Sequence, residues 1–200
     1  NGGNPVMMLE PGTYEVAIFA AGTTAGSYAF RLLSLLDATP LTPGTAVDLT
    51  LSPGNATQAY QFTATADQKL FFDHLSGSGQ PSWRLIDPLG RMIFGPRGVG
   101  DLEAPALTVD GTYTLLVEGR IWSGEPQTLG FRVNAMADGE VAATLGAAIS
   151  GSLANAGDRN SYRFTVDSGR YLLFDSLANT NRIGWTLTGP SAIIQQRNFQ

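Results

Sequence analysis

The chain has 200 residues and a formal net charge of −5, with 43% apolar residues, only 14% charged residues, 24 Gly, 11 Pro and no Cys. The acidic balance, with no Lys/Arg cluster against it, argues against nucleic acid and against anionic membrane surfaces as partners. The missing Cys excludes disulfides and thiolate metal sites. No apolar run reaches the roughly 18 residues of a membrane-spanning helix, so membrane insertion is not expected. The opening Asn1-Gly2-Gly3-Asn4-Pro5 has neither the basic start nor the apolar core of a signal peptide; if the protein is exported, the signal is expected outside this stretch.

Gly and Pro scattered between short apolar runs predict many turns and an all-β chain. Taken in order, residues 1–36 match a later stretch. Gly12-Thr13-Tyr14 and the alternating Val16 and Ile18 correspond to Gly111-Thr112-Tyr113, Leu115 and Val117. Phe30-Arg31-Leu32 corresponds to Phe131-Arg132-Val133. These residues are expected to be the closing part of a first repeat.

Residues 37–137 hold a complete set of strand signals. Val47, Leu49 and Leu51 alternate with polar residues, as do Tyr60 and Phe62, the period-2 pattern of a half-buried strand. Ser52-Pro53-Gly54-Asn55 is a turn, because Pro and Gly supply restricted and positive φ values. Further strands are expected at Leu70–Leu75, at Trp83–Ile86 with Trp83 and Leu85 on one face and Arg84 and Ile86 on the other, and at Arg91–Phe94. A Gly- and Pro-rich excursion over residues 95–105 follows. Strands are expected again at Ala106–Val109, Thr112–Glu118 and Thr128–Asn134. Eight short strands without a helical period suit a jelly-roll-like antiparallel β-sandwich.

Residues 138–200 then restart the pattern. Tyr60, Phe62, Phe72, Asp73, Trp83 and Leu85 return as Tyr162, Phe164, Phe174, Asp175, Trp185 and Leu187, each 102 residues on. A self-match at a fixed period marks a repeat architecture. The sequence therefore predicts tandem β-sandwich domains, one complete copy flanked by the C-terminal part of one and the N-terminal part of another.

The Tyr-x-Phe pairs Tyr60/Phe62 and Tyr162/Phe164, the Phe72-Asp73 and Phe174-Asp175 steps and the two Gly-Thr-Tyr stretches resemble the bacterial pre-peptidase C-terminal family. With the Trp83 and Trp185 strands, the pattern is similar to tandem units of very large secreted bacterial proteins. The resemblance implies a β-sandwich, an extracellular or cell-surface location and a non-catalytic role. The family carries acidic residues in the turn before Tyr-x-Phe. Asp158 stands there in the third stretch, whereas the middle one has Ala56.

For the site residues, the bland reading has to be set beside the functional one. His74 is the single His, and its counterpart is Ser176; a general base needs a positioned partner and nucleophile, so His74 is read as a strand residue and no enzyme is expected. Asp73 and Asp175 share strand faces with apolar neighbours, and a buried carboxylate must be hydrogen-bonded or ligate an ion. Acceptance from backbone N–H groups is the preferred reading and calcium ligation the alternative, since calcium needs several more oxygens. No other cofactor is implied. Trp122, in the loop of residues 120–125, is the candidate binding residue: exposed, it would suit stacking on a glycan or on a neighbouring unit, and packing against its own domain is the equal alternative. Asn55-Ala56-Thr57 fits a glycosylation sequon. The leading expectation is a structural repeat of a stalk or filament, its partners being neighbouring repeats and, end to end, other copies of the chain. The alternative is a glycan- or calcium-binding accessory module of a secreted hydrolase or adhesin.

Overall fold

A computed structural model describes residues 5–20, 22, 25–178 and 180–199. A 3-10 turn at Leu35–Asp37 leads into β1 (Thr39–Pro40), β2 (Ala46–Leu51), β3 (Thr57–Ala64), β4 (Leu70–Gly77), β5 (Ser82–Ile86), β6 (Met92–Gly98), β7 (Leu102–Glu103), β8 (Gly111–Glu118) and β9 (Gln127–Ala135). These make two sheets, ordered β1-β3-β8-β5-β6 and β2-β9-β4-β7. Apart from the parallel β1–β3 contact, every pairing in them is antiparallel. The all-β sandwich expected from the sequence is the fold observed. The chain divides into two compact units, residues 1–163 and 164–200, and both sheets lie in the first.

The period-2 pattern decides which side chains meet. Tyr113, Leu115 and Val117 of β8 and Trp83 and Leu85 of β5 point inward from one sheet, facing Phe72, Phe131 and Val133 from the other. All eight are fully buried. Rings interlock edge to face across the gap: Phe72 with Trp83 at 5.6 Å, Phe72 with Phe94 at 5.0 Å and Tyr60 with Phe131 at 5.5 Å. Such pairs add about 0.5–1.5 kcal/mol each beyond the area they bury. Trp83 sits where its spacing placed it.

The opposite face of the five-stranded sheet is also closed. Ala59, Ile86 and Leu116 form a second cluster with Ala38 and Leu35 from the chain leading into β1. On the same face Arg84 Nη2 donates to Glu118 Oε1 at 2.8 Å, with both side chains less than a tenth exposed. An ion pair this dry holds register more than it adds stability, because desolvating two charges offsets most of their attraction.

Three expectations need correcting. Residues 106–109 are not a strand. Pro105 offers no N–H to a ladder, and the segment instead drops Leu107 into the core as a plug. Besides the two-residue β1, the added strand is β7, in the stretch that looked irregular, where Leu102 pairs with Phe72 and Glu103 with Phe71. Second, the described residues from 5 to 34 form no strand, and the alternating Tyr14, Val16, Ile18, Phe30 and Leu32 are exposed. Their counterparts explain this. β8 lies between β3 and β5, and β9 between β2 and β4, so the two strands belong to different sheets and have no ladder to offer each other. The local corner does form: Tyr14 OH donates to the Glu10 carbonyl at 2.6 Å, as Tyr113 OH does to that of Val109 at 2.7 Å. Third, residues 172–177, the counterpart of the Leu70–Leu75 strand, form no strand, and all but the half-buried Ser176 are exposed.

Beyond β9, the opening of the sandwich is rebuilt with the same geometry. β10 (Asp138–Ala142) pairs in parallel with β11 (Arg159–Arg163), Val141 opposite Tyr162, where Thr39 lies opposite Tyr60. The Ala143 amide donates to the Arg163 carbonyl at 2.7 Å, as Leu41 does to Gln61 at 2.8 Å. Gly146 takes the positive φ of Gly44, 83° against 88°. Each equivalence is an offset of 102 residues. In the second unit, β12 (Gly184–Thr188) and β13 (Ile193–Asn198) form an antiparallel hairpin, and Trp185 stacks on Phe174 at 4.1 Å, the counterparts of Trp83 and Phe72.

The turn after β5 is organised by one carboxylate. Asp87 accepts from the Leu89 and Arg91 amides at 2.9 and 2.8 Å and from Arg91 Nε at 2.6 Å. Burial pushes this carboxyl up, but the hydrogen bonds from Arg91 and Leu89 and the Arg91 charge outweigh it and hold the group below its usual range. A depressed carboxyl contributes stability that is fully present above its unfolded value near 3.8 and is lost as pH falls through the lower folded value. Asp87→Asn should therefore cost about 1–3 kcal/mol at pH 7. Denaturant unfolding at stepped pH should show the gap to the parent chain narrowing below pH 4 or so.

Candidate functional site

At one end of the sandwich the loop after β8 meets the β2–β3 and β4–β5 connections. A cleft of about 290 Å³ opens there, walled by His74, Gln80, Pro81, Val99, Arg120 and Leu129. Glycines allow the loops to touch. A Cβ on Gly119 would collide with the Gly54 carbonyl, and one on Gly54 with the Glu125 carbonyl. The buried Gln127 ties the three connections together: its Nε2 donates to the Gly54 carbonyl at 2.6 Å and its Oε1 accepts from the Gln80 amide at 3.0 Å. Ser123 closes the tip by donating its amide to the Arg120 carbonyl at 2.8 Å.

This scaffold holds an apolar tip in water. Trp122 is 66% exposed and its neighbour Ile121 is exposed as well. Arg120 links tip to cleft: its Nε donates to the Gln80 carbonyl at 2.7 Å, and its guanidinium carbon stands 6.0 Å from the centre of the Trp122 ring. A cation at that distance is worth about 0.5–1 kcal/mol on a surface. The arrangement suits recognition by ring stacking and guanidinium hydrogen bonds. Trp122 thus stands free of its own core, one of the two placements the sequence left open.

His74 is exposed on the cleft wall, with its amide donating to Asp101 Oδ1 at 2.9 Å. The neighbouring hydroxyls of Ser78 and Thr128 lie 3.1 Å from each other. Asp73 is buried, but its partner is not the backbone N–H expected. Its Oδ2 accepts from Arg132 Nη2 at 3.0 Å, the residue directly opposite on β9. Arg132 is 59 residues away in sequence, and an ion pair at that separation leaves no local signal. The strand also bulges after His74, which leaves Leu75 exposed and off the face it was expected to share with Asp73. Asp175 is exposed in the second unit. Among the described residues no three His, Cys, Asp or Glu side chains come together as a metal site.

Asp158, the acid of the turn before Tyr162, is fully engaged. Oδ1 accepts from the Ala137 amide at 3.0 Å, and Oδ2 from the Ala154 and Asn155 amides at 3.1 and 2.8 Å. Hydrogen bonds from Ala137 and Asn155 pull its carboxyl below the usual range. It thus clamps the stretch after β9 onto the turn. Ion pairs add to that clamp: Arg159 with Glu103 at 2.5 Å, and Lys69 with Asp138. Sequence reasoning missed Gln127, because a Gln at the head of a strand carries no marker of burial.

No family model matches the chain, and no curated protein matches it. Among solved structures, the periplasmic g-type lysozyme inhibitor PliG of Aeromonas hydrophila is 18% identical, covering 48% of this chain and 96% of its own, at a TM-score of 0.38. PliG of Salmonella Typhimurium is 13% identical over 48% and 98%, at 0.33. A PliG mutant from Escherichia coli is 14% identical over 48% and 100%, at 0.31.

The division of labour at this end can be checked by substitution. Trp122→Ala should change unfolding free energy by no more than about 0.5 kcal/mol. Gln127→Ala, which strands the buried Gly54 carbonyl, should cost about 1–3 kcal/mol. Equal costs in urea titrations would mean the tip is part of the core.

Proposed function

We propose that this chain is a stretch of a tandem array of β-sandwich repeats, a non-catalytic structural part of a large secreted or surface bacterial protein. The observation that carries the reading is the return of the parallel strand contact in the same register 102 residues on, Thr39 opposite Tyr60 and Val141 opposite Tyr162. The glycine turn returns with it. A fold that repeats its opening move along one chain builds length, and the clamp around Asp158 stiffens the step from one copy to the next. The extracellular, bacterial setting rests on the resemblance to the pre-peptidase C-terminal family.

A second reading has its own support. Trp122 and Arg120 form an exposed aromatic and cationic tip on a loop fixed by Gln127 and two glycines, so each copy with such a tip would also bind, with a glycan as the ligand its chemistry fits. The calcium reading of Asp73 is the weaker one, because Arg132 already supplies its positive charge.

The array reading requires the middle copy to fold by itself. Residues 35–137, which keep the Leu35 contact, should unfold in one cooperative step. Its heat-capacity change should be near 1.2–1.5 kcal/mol/K, the value for about 100 residues. Scanning calorimetry on this fragment and on the full chain checks it. A fragment without a transition would sink the repeat boundaries.

A further inference from the structure

Resting on the reading of the Trp122 tip as a glycan-binding site, we infer that its ligand is an acidic saccharide. The cleft beside the tip takes the carboxylate of a uronate or sialate, and Trp122 stacks on the adjoining ring. The charge of the cleft carries the first part. Among the described residues that line it none is acidic, and its ionisable side chains are Arg120 and His74, in a chain of net charge −5. Asp101 accepts from the His74 amide at 2.9 Å but does not line the cleft. An acidic protein that keeps carboxylates out of one cleft and sets a guanidinium in it offers a seat for an anion.

Arg120 is held ready for that anion. Its Nε is spent on the Gln80 carbonyl at 2.7 Å, which fixes the plane of the guanidinium. Among the described residues no carboxylate forms an ion pair with it. The two terminal nitrogens are then left for a carboxylate, whose two oxygens match the guanidinium fork. The floor of the cleft admits such a group, because Gly77, Gly79 and Gly98 line it without side chains. A Cβ on Gly98 would meet only Arg120 Nη2, at 4.0 Å. The exposed hydroxyls of Ser78 and Thr128, 3.1 Å apart, stand on the wall where sugar hydroxyls need partners. At about 290 Å³ the cleft is at the small end of ligand pockets, with room for one sugar residue. The Trp122 ring, 6.0 Å from the same guanidinium and 66% exposed, meets the next one.

Titration calorimetry on the full 200-residue chain tests this with trigalacturonate and sialyllactose, beside the methyl ester of the first and lactose as neutral counterparts. At least one acid should bind about tenfold or more tightly than its neutral counterpart, the worth of one hydrogen bond to a charged group. Added salt should narrow the gap. Arg120→Gln should close it. Gly98→Val, which fills the cleft, should abolish acid binding and leave the thermal midpoint of the sandwich unchanged, and Trp122→Ala should weaken acid binding as well. Acidic and neutral sugars bound equally would overturn the inference and leave the glycan reading standing. Acetate or inorganic phosphate bound as tightly as the acidic sugars would also overturn it, by showing an anion seat that ignores the ring. Failure of all four sugars to bind would overturn the inference and the glycan reading together. The repeat reading is independent of every one of these results, because it stands on the folding of residues 35–137.

Discussion

An interior β-strand must be paired on both edges, and most of this structure follows from that constraint. A backbone N–H or C=O removed from water without a partner costs about as much as a lost hydrogen bond. β8 meets the constraint by lying between β3 and β5, eight residues paired to one and five to the other. With its edges closed, its inward residues Tyr113, Leu115 and Val117 become the floor of the core, against which Trp83 and Phe131 pack. Where the same sequence type lacks such neighbours, in residues 13–19, the apolar residues stay in water and no strand forms.

The two ends of the sandwich are built for different purposes. At the end bearing Trp122, backbone contacts at Gly54 and Gly119 and the buried amide of Gln127 knit three connections into a rigid base. The tip above it is left unpacked. At the other, Asp158, Arg159 and Asp138 hold the next stretch of chain against the sheet through charges and backbone amides rather than apolar area. Such contacts fix geometry between neighbouring segments while adding little net stability.

Much of the fold was legible because the side chains that build it repeat with period 2 and include large aromatics. Tyr60, Phe62, Phe72, Trp83 and Phe131 are core by position in the sequence and core in the structure. What stayed hidden depended on residues far apart or on backbone alone. The partner of Asp73 lies across the sheet, and the Arg84–Glu118 pair joins strands 34 residues apart. The two-residue β1 is too short to have a pattern. Residues 106–109 looked like a strand because Leu107 and Val109 alternate, yet one buried Leu after a Pro is a plug. Of the candidate site, the exposed Trp122 was visible as a loop aromatic, while the glycines and Gln127 that support it were not, since they act through close approach.

The central proposal is that one complete sandwich is flanked by stretches of the same design, of which the described residues 13–19 and 27–33 have no ladder. Native-state amide exchange on the full chain tests it most directly. The account expects the slowest amides in β3, β8, β5, β4 and β9, opening only with global unfolding, and nearly free exchange over residues 13–19 and 27–33. Protection of those two segments as strong as that of β8 and β9 would contradict it, because they would then have found partners that the sandwich does not provide.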